Sequence, residues 1–364
     1  MVSLEAYIRS ALPPGDKRTR VFHDAPGRTP PTLSRDHANR ILLFNGCFNP
    51  PHRGHLALLE DAFHHSGEDL HAIAAVVLVA SEEYLRWKFH RPRAEGRDVH
   101  LSDAQRIQLW EGELGATNNN WCLAYPEDQW WEVSDRLKRD LARDGFELEF
   151  VRVAGGDKVG LRSQAHGQWN CRTLITSDIC RRVDFFDGGG KGHGDDGGND
   201  SPATLKNHRP WREVKVADEI LRERARQHVL HSPGLDGSGV VMAVAGDAGG
   251  TGAAAAATAA KSSLVEDNEE DREAALARRI DEEYLRSLSV RNKKRLWTCD
   301  CTSNSRGYTL RFIASDDHLS PDISSTNLRN IIANTELSEL EDKLQGIALS
   351  PALLTRFVFA RYGI

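Results

Sequence analysis

Residues 41–55 read ILLFNGCFNPPHRGH, an apolar run followed by a glycine-containing turn and two histidines. The apolar residues 41–44 predict a buried strand, and the residues after the turn predict a helix. Gly46 allows the backbone to approach a bound group closely, and a helix N-terminus offers free N–H groups to anionic oxygens. His52 and His55 are three residues apart and share one helical face. The stretch therefore predicts a site for phosphate groups, such as those of a nucleoside triphosphate.

A second polar stretch, DISSTNLR at residues 322–329, lies near the other end of the chain. Its serines and threonine present hydroxyls and backbone N–H groups at the start of a predicted helix, and Arg329 follows one turn later. A guanidinium carries a planar fork of donors that suits phosphate oxygens. An ordinary helix cap beside a solvated arginine would have the same sequence. We predict that the two stretches contact one triphosphate from two sides.

Together the two stretches match the signatures GxFxPxHxGH and ISSTxxR, and the chain thereby resembles the adenylyltransferase and cytidylyltransferase superfamily. Within it, the chain is most similar to nicotinamide mononucleotide adenylyltransferases, as a divergent fungal-type member. This resemblance covers about residues 38–230 and 295–364. It implies a nicotinamide-nucleotide adenylyltransferase, which transfers AMP from ATP to nicotinamide or nicotinate mononucleotide, giving NAD or its deamido form and pyrophosphate. It also implies Mg²⁺, bound with ATP, as the cofactor.

The resemblance assigns roles to single residues. His55 contacts the reacting phosphate, His52 helps to hold the triphosphate, and Arg329 neutralises charge, so these three are the predicted catalytic residues. The other predicted nucleotide-binding residues are Gly46, Cys47, Phe48, Lys88, Gly156, Asp157, Ser325 and Thr326. The backbone of the first three lines the phosphates, and the turn at Gly156 and Asp157 lies near the nucleotide base. No protein ligand to a metal is predicted.

Several features leave the acceptor open. His52 stands where threonine is common in the resembling family, and Cys47 where serine is common. The segment around Lys88 also departs from the family pattern, so that Arg86 is an alternative to it. Phosphopantetheine adenylyltransferase and cytidylyltransferase remain alternatives, as does an ATP-binding regulatory protein with weak ATPase activity. Four tryptophans are candidates for stacking on an aromatic acceptor, namely Trp110, Trp121, Trp130 and Trp131.

The rest of the chain alternates predicted strands and helices. A continuous apolar run at residues 72–80 predicts a strand buried on both faces. Further strands are predicted at 121–124, 147–154 and 308–313, and helices at 102–114, 128–145, 271–288 and 350–362. This alternation predicts an α/β fold, a doubly wound parallel sheet of the Rossmann-like nucleotidyltransferase type with long flexible insertions. In such sheets ligands bind at the carboxyl ends of the strands, where both motifs lie.

Composition divides the chain into three predicted regions. Residues 1–37 form an N-terminal extension, 38–230 and 295–364 form the nucleotidyltransferase domain, and 231–294 form a low-complexity acidic insertion with a charged helix. A further stretch at 186–202 is rich in glycine and aspartate. Residues 186–202 and 234–273 are predicted to be flexible loops because they lack the large apolar residues that offset ordering entropy.

Charge and cysteine content restrict the expected partners and compartment. The net charge is −6 with an isoelectric point near 6.2, so we expect no general attraction to nucleic acid or to an anionic membrane. The six cysteines show no disulfide framework, and we expect neither a signal peptide nor a bilayer-spanning stretch. The expectation is a cytoplasmic or nuclear enzyme that binds ATP and a mononucleotide. The acidic insertion is a candidate surface for a protein partner, and homo-oligomerisation is left open.

Overall fold

The structure is a computed structural model of the chain. It describes residues 2–363 except 17, 19, 24–29, 68, 89–98, 118, 162–167, 187–200, 216–221, 223–224, 227–228, 230–268, 293, 303–306, 317 and 321–322. The chain divides into two compact units, one of residues 1–215 with 292–364 and one of residues 216–291. Of the two predicted flexible loops, residues 187–200 and 234–268 lie outside the described residues, whereas residues 269–273 belong to a helix.

The described part of the first unit is built on an eight-stranded sheet. After a short antiparallel pair, β1 (Val2–Ser3) and β2 (Thr32–Leu33), its strands are β3 (Asn39–Gly46), β4 (Ala72–Val79), β5 (Cys122–Pro126), β6 (Leu148–Val153), β7 (Thr173–Ser177), β8 (Arg212–Glu213), β9 (Lys294–Asp300) and β10 (Thr309–Ser315). The spatial order is β5-β4-β3-β6-β7-β10-β9-β8, with β9 antiparallel to both of its neighbours. The six strands β5, β4, β3, β6, β7 and β10 are parallel, and their order in the sheet is that of doubly wound nucleotide-binding folds. The predicted fold class is confirmed.

The helices of the described residues follow the strands. They are α1 (Leu4–Ala11), α2 (Arg53–His65), α3 (Glu82–Lys88), α4 (Asp103–Ala116), α5 (Glu127–Arg143), α6 (Glu269–Asn292), α7 (Ser325–Asn334), α8 (Leu340–Leu344) and α9 (Pro351–Tyr362). None of them is long and apolar enough to cross a membrane.

Both faces of the sheet are covered, and successive residues of β3 serve opposite faces. Leu42 and Phe44 pack in a core with α2 and α4. Ile41 and Leu43 pack in a second core with α1 and α5. A strand buried on both faces must be apolar at every position, which explains the continuous apolar runs of β3 and β4. Residues 4–11 of the predicted N-terminal extension pack as α1 against α5.

The C-terminal helices form a further layer beside the first motif. Helices α7, α8 and α9 share a core with Leu101 and Leu109, which lie at and within α4. The chain segment before α9 also joins the loop after β3, because the N–H of Arg53 donates to the carbonyl of Ile347 at 2.9 Å. The first motif, near the start of the predicted domain, and the C-terminal helices, at its end, are therefore neighbours in the fold.

The second unit contains most of α6. Its described residues include a small apolar contact between Ala225 and Tyr284, and the guanidinium carbon of Arg222 lies 4.4 Å from the centre of the Tyr284 ring. The charged helix that the sequence predicts at 271–288 is thus found as α6, four residues longer at its C-terminal end.

Candidate active site

The first motif forms the connection between β3 and α2. β3 ends at Gly46, and α2 begins at Arg53 with His52 as its N-cap. A Cβ at position 46 would lie 2.9 Å from the ring of Phe48, so only glycine lets this ring fold back over the strand end. Phe48 takes a positive φ of 44° and is buried, with its ring centre 4.9 Å from that of His55. The phenylalanine of the motif therefore shapes the loop by packing.

The connection lies where the order of the strands reverses. β3 pairs with β4 on one side and with β6 on the other, and the chain leaves β3 and β6 at the same edge of the sheet. The loop at 47–52 and the turn at 154–158 are therefore neighbours at the carboxyl ends of two parallel strands. This crevice is where open α/β sheets bind their ligands.

The two histidines of the motif stack on each other. Their ring centres are 3.6 Å apart with an interplanar angle of 22°. The main-chain N–H of His52 donates to Nδ1 of His55 at 3.2 Å. Since Nδ1 of His55 accepts this hydrogen bond, its neutral ring carries the proton on Nε2 and presents Nε2–H as a donor.

Both rings favour the neutral form. Burial lowers the pKa of His52 to about 4, with a further contribution from the positive charge of Arg181. Burial also lowers the pKa of His55 well below its ordinary value, and the charges of His52 and Arg181 act in the same direction. At neutral pH the pair therefore offers hydrogen-bond donors, and an arriving phosphate would favour protonation.

The second motif contacts the first one directly. Ser324 caps α7, with its Oγ accepting from the N–H of Asn327. The next residue, Ser325, donates from Oγ to the carbonyl of Pro50 at 2.8 Å. Arg329 is 8% exposed and donates to the carbonyl of Asn49. The predicted proximity of the two motifs is thus found, and main-chain carbonyls of the first loop receive part of the hydrogen bonding that the sequence assigns to phosphates.

Thr326 is the exposed residue at the start of α7. Its Oγ1 accepts a hydrogen bond from Nη2 of Arg329 at 3.0 Å, so the two side chains are held together at the helix N-terminus. This hydroxyl lies in the first turn, where free backbone N–H groups are concentrated. Its predicted contact with phosphate stays a prediction.

Two residues that the sequence analysis missed hold the first loop from behind. Arg106 on α4 is fully buried and donates from Nη1 to the carbonyl of Cys47 at 2.6 Å. The side chain of Asn49 donates to the carbonyl of Val99 and accepts from the N–H of Leu101. A signal for Arg106 was present, because it lies one turn before Trp110 on the buried face of α4.

Lys88 lies at the exposed side of the loop. Its Nζ is 3.4 Å from Sγ of Cys47, and α3 ends with it. The alternative residue, Arg86, donates instead to Glu82 one turn earlier on the same helix, at 2.7 Å. Of the two candidates, Lys88 is the one beside the loop that the first motif forms.

Gly156 and Asp157 form the turn after β6. A Cβ at position 156 would lie 3.0 Å from the carbonyl oxygen of Arg181, so the loop after β7 packs directly on this glycine. Oδ2 of Asp157 lies 3.3 Å from Nζ of Lys158 and 3.5 Å from Nη1 of Arg181. Arg181 belongs to neither signature and was not predicted.

The four candidate tryptophans differ in exposure. Trp110, Trp121 and Trp130 are buried core residues. Trp131 is 49% exposed and stacks on Trp169, with ring centres 3.9 Å apart. Trp131 lies one turn after Glu127, whose Oε1 accepts a hydrogen bond from the side chain of Asn45 at the end of β3. The exposed tryptophan therefore belongs to α5, which covers the sheet face opposite to that of α2.

The described residues contain no group of three or more His, Cys, Asp or Glu side chains that could hold a metal ion. Basic side chains contact the first loop instead, namely Arg106, Arg329 and Lys88. This arrangement is suited to anions.

Comparison with known proteins agrees with this geometry. Residues 43–97 match the family model described as cytidylyltransferase-like. The matched residues are thus similar to a cytidylyltransferase-like domain of the nucleotidyltransferase superfamily. The matched stretch contains the second half of β3, the first motif, β4 and Lys88. The superfamily predicted from the two signatures is confirmed, whereas its nicotinamide branch stays a prediction.

Similar curated proteins carry the name bifunctional protein HldE. The protein from Shewanella sediminis is 29% identical over 126 residues, which are 35% of this chain and 24% of the relative. The one from Alkalilimnicola ehrlichii is 29% identical over 134 residues, 37% of this chain and 24% of the relative. The match therefore spans about a quarter of the length of these relatives.

Proposed function

We propose that this protein is a nicotinamide-nucleotide adenylyltransferase, which transfers AMP from ATP to nicotinamide or nicotinate mononucleotide. The observation that carries the proposal is the direct contact of the two motifs. Ser325 and Arg329 on α7 donate to the loop between β3 and α2, so that two helix N-termini and the paired histidines meet at the strand-order reversal. Helix N-termini and fixed cations are the groups that bind polyphosphates.

The geometry suits attack of a phosphate oxygen on the α-phosphorus of ATP. The acceptor phosphate supplies the electron pair for the new P–O bond, and the bond to the β-phosphate oxygen breaks, releasing pyrophosphate. The attacking group is already an anion and needs no general base. His55 would donate from Nε2–H to an α-phosphate oxygen, where negative charge changes during transfer. Arg329, Lys88 and the helix N-termini would bind the remaining phosphates.

Magnesium would enter with ATP as part of the substrate. Phosphate oxygens are hard ligands that Mg²⁺ prefers, and it commonly keeps several waters besides one or two protein carboxylates. Mg²⁺ would bind some of the phosphate oxygens of ATP. The basic and hydroxyl groups around the first loop are suited to bind the others. Chelation would therefore be expected to remove transfer without changing the fold.

The exposed face of Trp131 supports a flat aromatic acceptor. An aromatic ring offers stacking area to a pyridine ring, and Trp131 is already held by Trp169. A second candidate, transfer to another phosphate-bearing acceptor, is supported by the cytidylyltransferase-like match and by the HldE relatives. Phosphopantetheine and a phosphorylated alcohol with CTP belong to this group. The third candidate, a regulatory ATP binder with weak ATPase activity, is weakened by the retained histidine pair.

The test is pyrophosphate release by the purified protein with magnesium and ATP or CTP. Nicotinamide mononucleotide, nicotinate mononucleotide and phosphopantetheine serve as acceptors, and products are identified by mass. We expect NAD or its deamido form from ATP, and a loss of roughly 100-fold or more in turnover for His55→Ala. His64→Ala is the matched control, because His64 is an exposed histidine at the other end of α2.

The outcomes separate the candidates. A product formed with phosphopantetheine or from CTP would replace the nicotinamide acceptor and keep the reaction class. ATP binding without transfer to any acceptor would favour the regulatory binder. Normal turnover by a folded His55→Ala variant would contradict the assigned site.

A further inference from the structure

The loop after β7, residues 178–181, lies between all three segments of the candidate site, although neither signature includes it. A Cβ at Gly54 would lie 3.1 Å from the Cβ of Cys180, so the loop packs against the start of α2. The carbonyl of Arg181 packs against Gly156 in the turn after β6. The carbonyl of Ile179 accepts from the N–H of Leu319, in the segment that leads to α7.

Buried polar groups fix the base of this loop. Asp178 is 2% exposed, and its Oδ1 accepts from the N–H of Ser315 at the end of β10. Its Oδ2 lies 3.1 Å from Nε2 of His318. Ser177 donates to Asp61 on α2 and accepts from the N–H of Ile179. The backbone that precedes Arg181 is therefore fixed by hydrogen bonds to β10 on one side and to α2 on the other.

The guanidinium of Arg181 is directed to the crevice. Its Nη1 is 3.5 Å from Oδ2 of Asp157, and its side chain is 57% exposed. The positive charge of Arg181 contributes to the lowered pKa of both His52 and His55, which places it within electrostatic reach of the histidine pair. An ion pair this exposed contributes little to stability and is easily exchanged. A phosphate accepts two parallel hydrogen bonds from a guanidinium and carries more charge than Asp157.

We propose that Arg181 is a phosphate-binding residue of this site, which exchanges Asp157 for a phosphate group of the bound nucleotide beside His52 and His55. The ligand class is a polyphosphate, either a nucleoside triphosphate or pyrophosphate. This inference deepens the proposed function and rests on it for the identity of the site. Phosphate binding by Arg181 does not depend on which acceptor the protein uses.

The experiment uses calorimetry on the full chain with magnesium present. It measures the binding of three separate ligands, namely ATP, inorganic pyrophosphate and adenosine. For Arg181→Gln we expect affinity for ATP and for pyrophosphate to fall by roughly 10-fold or more, because a hydrogen bond between charged groups is lost. Arg181→Lys should restore part of that affinity. The affinity for adenosine, which carries no phosphate, should stay unchanged, and a residue with a merely structural role would change it too.

Arg182→Gln is the matched control, because Arg182 is the adjacent exposed arginine. Asp157→Asn should tighten pyrophosphate binding, since the competing carboxylate charge is removed. Unchanged affinity for ATP and pyrophosphate in Arg181→Gln, or an equal loss in Arg182→Gln, would overturn the proposal. A parallel loss of adenosine affinity would also overturn it.

Failure of this inference and failure of the proposed function are distinguishable. Polyphosphate binding that depends on Arg181, in a protein that transfers AMP to no acceptor, would contradict the proposed reaction only. Suppose instead that His55→Ala loses transfer, whereas Arg181→Gln keeps both transfer and normal polyphosphate affinity. That result would contradict the role of Arg181 only.

Discussion

At the residue scale, the chemical character of His52 depends on its surroundings. The side chain is 7% exposed, and its ring is covered by that of His55 and by Gly54. Its Nδ1 is buried and has no hydrogen-bond partner among the described residues. Protonating a buried ring of this kind costs free energy. Acid is therefore expected to lower the stability of the folded protein at this site.

We predict that His52 makes the fold sensitive to mild acid. Burial lowers the pKa of His52 from 6.5 to about 4 in the folded protein, so between these values the unfolded chain binds more protons. The contribution of His52 to stability is complete above the unfolded pKa and is lost as pH falls toward about 4. It amounts to about 3 kcal/mol over the whole range. Urea denaturation of the wild type at about pH 7 and about pH 4.5 should show this loss.

His52→Asn should lose less stability than the wild type over the same pH change, by about 2 kcal/mol. His37→Asn serves as the control, since His37 is exposed and precedes β3 at the opposite edge of the sheet. Equal pH dependence in the wild type and His52→Asn would show that the ring is not held in its neutral form.

At the scale of elements, the N-terminus of α7 is bonded to the loop that begins α2. Arg329 and Ser325 donate to two successive carbonyls of that loop, those of Asn49 and Pro50. From the other side, Arg106 donates to the carbonyl of Cys47. The loop therefore lies between two helices, and its shape depends on buried side chains that contact its backbone.

We predict that Arg329→Leu destabilises the protein and weakens polyphosphate binding together. The carbonyl of Asn49 would lose a charged donor in a buried place, at a cost of about 1 to 3 kcal/mol in the free energy of unfolding. Thermal melting and pyrophosphate titration would measure the two effects. Asn330→Ala changes the neighbouring exposed residue of α7 and should alter both by little. A stable Arg329→Leu variant with normal affinity would mean that the bond to Asn49 does not shape the loop.

At the scale of the whole molecule, the chain leaves and re-enters the sheet through neighbouring strands. β8 and β9 are antiparallel, and the N–H of Val214 donates to the carbonyl of Leu296 at 2.8 Å. Lys294, the first residue of β9, forms a buried ion pair with Asp61 on α2. Burial would raise the pKa of Asp61, but His65, Lys294 and Ser177 outweigh it and lower the pKa. The strand after the second unit is thereby joined to the helix that carries the histidines.

We predict that residues 217–291 can be replaced by a short Gly-Ser linker without loss of folding or of nucleotide binding in the first unit. The strands on either side of the replaced segment, β8 and β9, are paired with each other, so that a short connection between them has a small entropic cost. Thermal melting and ATP titration would test this. Extending the replacement through Lys294 is the control, because it leaves the buried Asp61 without its cation and should lower the melting temperature. Loss of ATP affinity with the shorter replacement would show that the second unit contributes to the site.

Much of the fold could be predicted from local sequence. The strand, turn and helix at 41–55, the apolar strand β4 and the capped start of α4 each depend on residues within a few positions of one another, so their patterns are visible in the chain. The paired signatures also indicated that α2 and α7 meet. Ends of elements shifted by a few residues, since the last turns of helices and strands depend on packing.

Only the tertiary structure showed which side chains surround these motifs. Arg106 and Cys47 are 59 positions apart, and Lys294 and Asp61 are 233 positions apart, so no local pattern links them. Arg181 and Asp157 approach because β6 and β7 are neighbours in the sheet. The sequence by itself determined the fold class and the place of the two motifs for which phosphate binding is predicted, because periodicity and turn chemistry act over short range. The charges around these motifs were decided by strand order and helix packing, which bring distant parts of the chain together.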